Sequence, residues 1–248
     1  MRVRPSLLLV VVAVAAFAAA QTALGSTGAE VAPQLRPAVE LVPPKVAAPR
    51  PSGHLLAVAG GALSYSARPG GPAQGSLPAT TEFGSRQVLS VAARRGAWLG
   101  VVTSARPNGR LAWVRRSGLK LKRTRWALRA DLSERTLTLM RGGRALRRIS
   151  VAVGRPGSET PTGRFAVTDK LAGTSYGPYY GCCILALSGQ QPNPPPGWTG
   201  GNRIAIHGTD SPATIGSAAS AGCLRAGDAD LRALMERVPV GTPVFIAA

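Results

Sequence analysis

The chain has 248 residues, 45% of them hydrophobic, which is enough for one large domain or two modest domains with their own cores. This composition argues against a chain that is disordered throughout. The formal net charge is +19, with +11 in residues 30–124 and +6 in residues 125–248. A basic surface favours polyanions such as nucleic acid, anionic lipid or acidic wall polymers, although the arginines also have a simple explanation as solubilising groups.

The N-terminus has the layout of an export signal. Arg2 and Arg4 precede an apolar run from Leu7 to Ala20 that ends in small residues. We predict that residues 1–29 are a cleaved signal peptide, with an uncleaved single membrane anchor as the alternative. Either interpretation predicts an extracytoplasmic protein that is secreted, wall-associated or anchored. Export argues against nucleic acid as a partner, and membrane contact is expected only through an uncleaved N-terminal segment.

A proline-rich stretch separates this segment from the rest of the chain. Residues 30–53 contain six prolines with little apolar periodicity, which predicts an extended linker. In residues 54–123, short apolar runs alternate with Gly, Pro and Asn turn signals, which predicts a small all-β domain. The patterns Gly96–Val101 and Gly109–Val114 in this region resemble the bacterial SH3-like modules that accompany wall enzymes. A small SH3-like β-barrel is therefore expected. The predicted strands are Leu55–Val58, Val88–Val91, Trp98–Val102 and Leu111–Val114.

Residues 125–248 form a second predicted β-rich domain. A hairpin is expected around Gly142 and Gly143, between Thr136–Met140 and Leu146–Val153. One helix is indicated by apolar residues at helical spacing after a candidate N-cap at Asp228, and Pro239 and Gly241 end it. The predicted fold class is mainly β, with one or two short helices. The remaining predicted strands are Phe165–Thr168, Arg203–Ile206 and Val244–Ile246, and the helix-spaced residues are Leu231, Leu234, Met235 and Val238.

The chain has only three cysteines, so at least one thiol has no partner. Cys182 and Cys183 lie in an apolar run, and adjacent cysteines are poorly placed for an ordinary disulfide. We therefore expect them to be small buried residues. Because a free thiol is a hazard in an oxidising compartment, a chemical role for Cys223 is the natural hypothesis. The pattern offers too few ligands for a metal, so no zinc is expected.

A candidate base lies 16 residues before this thiol. His207 begins the stretch His207-Gly208-Thr209, and the only other histidine, His54, lies far away in the sequence, where a surface or packing role is expected. An imidazole in hydrogen-bond reach can take the thiol proton and so generate a nucleophilic thiolate. The amides of Gly222 and Cys223 are candidate donors to a developing oxyanion. Spacing alone is weak evidence, since cysteine and histidine often occur this close for structural reasons.

The surrounding strings are more specific. They closely resemble the catalytic domain of the YkuD-type L,D-transpeptidases over about residues 126–248. This resemblance implies a β-sandwich-like domain that needs no cofactor. It also implies a cysteine acyl-enzyme that cuts a tetrapeptide stem after its third residue and passes the acyl group to an amine of another stem, giving a 3→3 cross-link in peptidoglycan. By resemblance, Cys223 is the nucleophile and His207 the proton acceptor and donor. The matching strings are His207–Thr209, Ile215-Gly216, Ser220–Arg225, Gly154–Gly157 and Thr160–Phe165.

Several nearby residues have expected supporting roles. Ser220, Gly208 and Gly222 are candidates for positioning the oxyanion or the segment Ser220–Arg225 around Cys223, which we call the cysteine loop. Arg225 and Thr209 are candidates for substrate binding, with an ion pair as the structural alternative for Arg225. Asp210 is expected to be a turn residue.

Ala221 departs from the family pattern, in which many relatives have a histidine. Together with the basic SH3-like half, this departure keeps open the alternative of a wall-binding scaffold with an inactive site. A second alternative, which differs only in acceptor access, is a hydrolase of the carboxypeptidase type that gives the acyl group to water. Peptidoglycan stem peptides, as donor and as acceptor, are the expected partners, with anionic wall polymers as a further class.

Overall fold

Two β-sheets form the framework of residues 53–248, which are the part of the chain that this computed structural model describes. The predicted signal segment and nearly all of the predicted linker lie outside the described residues. In the described part, the mainly-β prediction is confirmed, with a single α-helix. No helix in residues 53–248 has both the length and the apolar character that a membrane span requires.

The first sheet is entirely antiparallel, and its seven strands follow the order β3-β2-β6-β5-β4-β1-β7. Alternate residues of these strands enclose a small core that includes Ala57, Leu89, Val101 and Val114. All four strands predicted in this region are present, whereas the likeness to an SH3 module stays a prediction. The strands are β1 (His54–Ala59), β2 (Leu63–Ser66), β3 (Ala73–Leu77), β4 (Val88–Arg95), β5 (Trp98–Val102), β6 (Ala112–Arg115) and β7 (Leu119–Thr124).

The second sheet has eight strands in the order β10-β9-β8-β17-β12-β13-β14-β16. Its pairs are antiparallel except for β8 with β17 and β14 with β16. A two-stranded parallel pair, β11 (Val153–Gly154) with β15 (Ala218–Ser220), lies beside it. The strands of the second sheet are β8 (Trp126–Asp131), β9 (Thr136–Arg141), β10 (Arg144–Ser150), β12 (Gly163–Ala172), β13 (Cys183–Gln190), β14 (Arg203–His207), β16 (Leu224–Arg225) and β17 (Pro243–Ala247).

Two local predictions in this domain are confirmed. Gly142 and Gly143 both have positive φ, 61° and 85°, as a two-residue hairpin turn between β9 and β10 requires. Helix α1 (Asp228–Arg237) buries Leu231 and Leu234 completely against the larger core and ends before Pro239.

Two other predictions are wrong. The strand predicted over Leu146–Val153 ends at Ser150, because the backbone amide of Ala152 donates to Arg225 O (2.8 Å) and so crosses to the strand that follows Cys223. Asp228 is the first helical residue rather than the N-cap, which is Gly227. The Asp228 carboxylate instead accepts the backbone N–H of Cys182 at 3.1 Å, so a part-buried amide from a distant segment takes the place of the helix N–H groups as its partner.

The two sheets contact each other through polar groups at the end of β13. The Asn108 side chain donates to Gln190 O (2.6 Å) and accepts from Gln190 N (2.9 Å). The Gln190 side chain donates to Ser104 O at 2.8 Å. The strand that ends beside the cysteine loop is therefore held by a loop of the first sheet.

Candidate active site

Two neighbouring strands present the predicted nucleophile and base. β14 and β16 run parallel, with Ile206 opposite Leu224 and His207 opposite Arg225. Ile206 and Leu224 belong to the hydrophobic core, so their neighbours in sequence point to the other face of the sheet. Cys223 directly precedes Leu224, in the bend of residues 221–223 that leads into β16. The structure thus brings the predicted thiol and imidazole into one neighbourhood, since Arg225 acts on the pKa of both groups and Tyr180 lies near both.

The His207 ring has a defined tautomer. Its Nδ1 lies 2.6 Å from Gly208 O, and because a carbonyl oxygen can only accept, Nδ1 carries the proton. Nε2 therefore has the free lone pair. This nitrogen is buried and has no hydrogen-bond partner among residues 53–248. An unsatisfied buried acceptor is costly in a folded protein, and here it is the atom that a general base needs.

In the free protein, the surroundings of the His207 imidazole and the Cys223 thiol favour the uncharged form of each group. Burial lowers the pKa of His207 from 6.5 to about 4, and the positive charge of Arg225 acts in the same direction, against the opposing effect of the Gly208 carbonyl. Burial also raises the pKa of the Cys223 thiol, while the Ala205 amide and Arg225 oppose that rise. At neutral pH, the resting pair is therefore a thiol and a neutral imidazole, and charge forms only when the proton moves.

The lowered pKa of His207 predicts a pH-dependent stability. An unfolded chain takes up the histidine proton near pH 6.5, whereas the folded chain resists it until about pH 4. The unfolding free energy should therefore fall as the pH drops from 6.5 to 4, by on the order of 3 kcal/mol in total. Urea unfolding at several pH values measures this loss, and His207→Gln should remove it.

His54→Gln is the matched control. His54 packs against Phe245 with ring centroids 5.9 Å apart, and its pKa is also lowered, first by burial. It is only half-buried, so its replacement should leave most of the pH dependence intact. Equal slopes in the wild type and His207→Gln would show that the histidine is not buried as a neutral ring.

Ser220 closes the cysteine loop on itself. The fully buried Ser220 hydroxyl donates to Cys223 O at 2.6 Å and accepts from Gly222 N at 3.0 Å. The Gly222 amide, predicted as an oxyanion donor, is thus already engaged within the loop. The Cys223 amide has no such partner among the described residues. Of the two predicted donors, the structure leaves only the Cys223 amide available.

Gln191, which the sequence analysis did not single out, holds this loop from the other side. Its Nε2 lies 3.0 Å from Ala221 O, 3.1 Å from Ser158 O and 3.1 Å from Glu159 O. Gly222 has φ +117°, and a side chain there would collide with the Gln191 amide. Gln191 follows directly after β13, so no local pattern could have identified it. At Ala221, where the sequence departs from the family pattern, the loop is held through the backbone carbonyl, which accepts the hydrogen bond from Gln191.

An aromatic wall, also missed in the sequence analysis, covers the imidazole. The rings of Tyr179 and Tyr180 lie 5.6 and 4.9 Å from that of His207, and Trp198 lies 6.2 Å from Tyr179. Burial first and nearby Cys223 second raise the pKa of the Tyr180 hydroxyl, so Tyr180 stays protonated beside the thiol. The dipeptide Tyr179-Tyr180 between Gly177-Pro178 and Gly181 was the available sequence signal.

Arg225 makes no ion pair among the described residues. Its guanidinium lies 4.5 Å above the Tyr179 ring and donates to the Tyr179 hydroxyl, and the residue is 8% exposed. Residues 53–248 therefore do not form the ion pair considered as its structural alternative. Within residues 53–248, no carboxylate pairs with this charge, and the Nε atom is buried without a partner.

The remaining predicted residues lie at the edge of the site. Gly208 donates its N–H to Cys183 O at 3.0 Å, and a side chain there would collide with the Asp228 carboxylate, so only glycine fits. Thr209 is partly exposed, and its hydroxyl accepts from Ser211 N at 3.0 Å. Asp210 is exposed and accepts from the Ser211 hydroxyl. The group that orients the imidazole is therefore a backbone carbonyl rather than Asp210.

The expectation for the paired cysteines is wrong. Cys182 and Cys183 are joined to each other by a disulfide, and Cys223 is the free cysteine. Cys183 does contribute to the hydrophobic core, as expected, with 8% exposure. In residues 53–248, no group of three His, Cys, Asp or Glu side chains is placed to hold a metal ion.

Residues 125–246 match the family model of the YkuD L,D-transpeptidase catalytic domain, just under half of the chain. Two similar curated proteins are provisionally named L,D-transpeptidase YkuD. The protein from Bacillus subtilis is 35% identical over 118 residues, which are 47% of this chain and 62% of that protein. The protein from Bacillus licheniformis is 32% identical over 123 residues, 49% of this chain and 65% of that protein. The match thus spans less than two thirds of each relative.

Similar solved structures include an L,D-transpeptidase from Mycobacterium smegmatis, with 20% identity and a TM-score of 0.42. That comparison covers 64% of this chain and 82% of the other. L,D-transpeptidase 3 from Mycobacterium tuberculosis, solved in complex with a faropenem-derived adduct, has 16% identity and a TM-score of 0.40, covering 56% of this chain and 73% of the other.

Proposed function

We propose that this protein is an exported peptidoglycan L,D-transpeptidase in which Cys223 forms the acyl-enzyme and His207 transfers the protons. The observation that carries this proposal is the unpartnered, buried Nε2 of His207, on the strand next to the loop that contains the only free thiol of the chain. The match of residues 125–246 to the family model supports the same reaction.

The first half-reaction makes a thioester. His207 Nε2 takes the Cys223 proton as the sulfur attacks the carbonyl carbon of the third residue in a tetrapeptide stem. The Cys223 amide lies where it can donate to the developing oxyanion. The peptide bond to the fourth residue then breaks, and the imidazolium returns its proton to the departing amine. Because burial and Arg225 disfavour the imidazolium, it gives up its proton more readily than a free imidazolium does.

The second half-reaction transfers the acyl group. The side-chain amine of a diamino acid in another stem attacks the thioester, His207 takes its proton, and the thiol is released with that proton. The product is a 3→3 cross-link. In the resting structure, His207 Nε2 has no hydrogen bond to the sulfur. This agrees with the general finding that catalytic hydrogen bonds in free enzymes are often long and tighten when substrate binds.

Intact-mass spectrometry with a carbapenem tests the acyl-enzyme, because this compound class mimics the acyl donor. One covalent adduct is expected on the wild type and none on Cys223→Ala, since Cys182 and Cys183 are bonded to each other. An unmodified wild-type protein, or an adduct that persists on Cys223→Ala, would contradict the proposed nucleophile.

Incubation with purified tetrapeptide monomers tests the acceptor. A cross-linked dimer with loss of one terminal residue is the expected product. Tripeptide without dimer would identify a hydrolase, and a wall-binding protein without any turnover would identify a scaffold.

A further inference from the structure

A groove lies at the junction of the two sheets, distinct from the Cys223 site. It has a volume of about 450 Å³, and none of its lining residues belongs to the cysteine loop or the aromatic wall. Its floor is apolar and comes from both sides of the junction, with Leu56, Val58 and Val88 on one side and Pro239 and Val240 on the other. We call this feature the junction groove.

Five basic side chains surround this floor. All five are exposed, and no Asp or Glu is among the lining residues. The ion pairs in the described part of the chain use other cations, namely Arg147, Arg148, Arg203 and Arg232, so the five have no carboxylate partner. A cleft with charges of one sign focuses the electric field and concentrates counter-ions. The groove-lining cations are Arg86, Lys122, Arg123, Arg125 and Arg141.

The shape of the groove fits a flexible polymer chain better than a lipid bilayer as its ligand. A membrane-binding surface normally presents exposed apolar side chains, yet the exposed large ones in the described residues, Leu146, Tyr176 and Trp198, do not line the groove. The groove is also concave. A flexible chain can lie along its apolar floor, whereas a planar lipid surface cannot reach that floor.

The chemical groups on the rim and floor of the groove further restrict the class of ligand that fits it. Single-stranded nucleic acid needs aromatic faces for its bases. The only aromatic lining residue, Trp126, is covered by the Arg141 guanidinium, 5.1 Å above its ring. Guanidinium groups bind phosphate through two parallel hydrogen bonds. The methylene groups of short polyol units can pack on the apolar floor. Closely spaced phosphates can pair with the five cations around one small groove.

We propose that the junction groove binds a flexible phosphodiester polyanion built of short polyol units. Such a ligand would hold the protein on a wall polymer while leaving the Cys223 face open. The proposal does not depend on catalysis, because the groove and the thiol share no residue. Binding should therefore be the same for the wild type and for Cys223→Ala.

The probe is a fluorescent glycerol-phosphate oligomer, titrated with the full-length protein at several salt concentrations. Release of about 0.7 counter-ion per neutralised charge predicts a slope of log K against log salt near −3.5 for five cations. Affinity should then fall about a hundredfold between about 50 and about 200 mM salt. Arg125→Gln/Arg141→Gln should weaken binding and reduce the slope by about 1.4.

Arg94→Gln/Arg95→Gln is the matched control. It removes the same net charge from exposed positions of β4 that do not line the groove. Equal weakening by both double variants would overturn the proposal, since it would show that only net charge matters. Tighter binding to phosphatidylglycerol vesicles or to a single-stranded oligonucleotide than to the oligomer would overturn it as well. Circular dichroism confirms that each variant is folded.

Discussion

Replacing His207 by glutamine should slow acylation of Cys223 by about 10²- to 10⁴-fold, the usual contribution of a positioned general base. The reason is that burial raises the pKa of the thiol, so thiolate is scarce at neutral pH unless a neighbouring base removes the proton. In the wild type, Nε2 of His207 is that base, with its lone pair fixed by the bond from Nδ1 to Gly208 O.

The pH profile separates this role from a structural one. Acylation by a carbapenem should be nearly independent of pH between about 6 and 8 in the wild type, because His207 is neutral well above its pKa of about 4. In His207→Gln, the rate should rise about tenfold per pH unit, because hydroxide must then remove the proton. His54→Gln should keep the wild-type rate and profile. A wild type with the same steep dependence as the variant would exclude His207 as the base.

Replacing Gln191 should have the second large effect. Gln191→Ala removes the donor shared by three carbonyl oxygens and leaves a void beside Gly222. We expect a loss of about 2 kcal/mol or more of unfolding free energy. Because a displacement of about 1 Å at a reacting group can cost ~10²-fold in rate, acylation of Cys223 should fall by about that factor. Thermal unfolding and adduct formation measure the two effects separately.

Two further variants make this prediction specific. Gln191→Glu has nearly the same shape but would place a carboxylate oxygen against three carbonyl oxygens, so it should be worse than alanine. If Gln191 acted only by packing, Gln191→Glu would instead be less damaging than Gln191→Ala. Gln190→Ala is the matched control from the adjacent position. It loses one side-chain bond, to Ser104 O, worth about 1 kcal/mol, and should leave acylation near the wild-type rate.

These experiments also bear on the role of the first sheet. Gln190 is held by Asn108 and Ser104 of the first sheet, and the next residue along the chain holds the cysteine loop. The two adjacent glutamines thus join the N-terminal β-structure to the site. If Gln190→Ala slowed acylation as strongly as Gln191→Ala, docking of the first sheet would be the main support of the loop.

Sequence reasoning succeeded where a local pattern determines structure. Short apolar runs between turn signals predicted four of the seven strands of the first sheet, and paired glycines predicted the hairpin between β9 and β10, because apolar runs and positive φ are properties of short segments. Helix spacing predicted the buried face of α1 for the same reason. Sequence reasoning failed for the N-cap predicted at Asp228, because the partner of its carboxylate, the amide of Cys182, lies 46 residues away.

The sequence by itself determined the mainly-β fold class and named Cys223 and His207 as candidates, because residue type and short-range spacing carry that information. Only the tertiary structure decided that the Cys223 loop leads into the strand beside that of His207, that Gly208 O orients the imidazole and that Gln191 holds the cysteine loop. It also grouped around one groove five cations that have no carboxylate partner within residues 53–248. Each of these facts depends on strand register or on contacts between distant segments, and neither is set by local conformational preference.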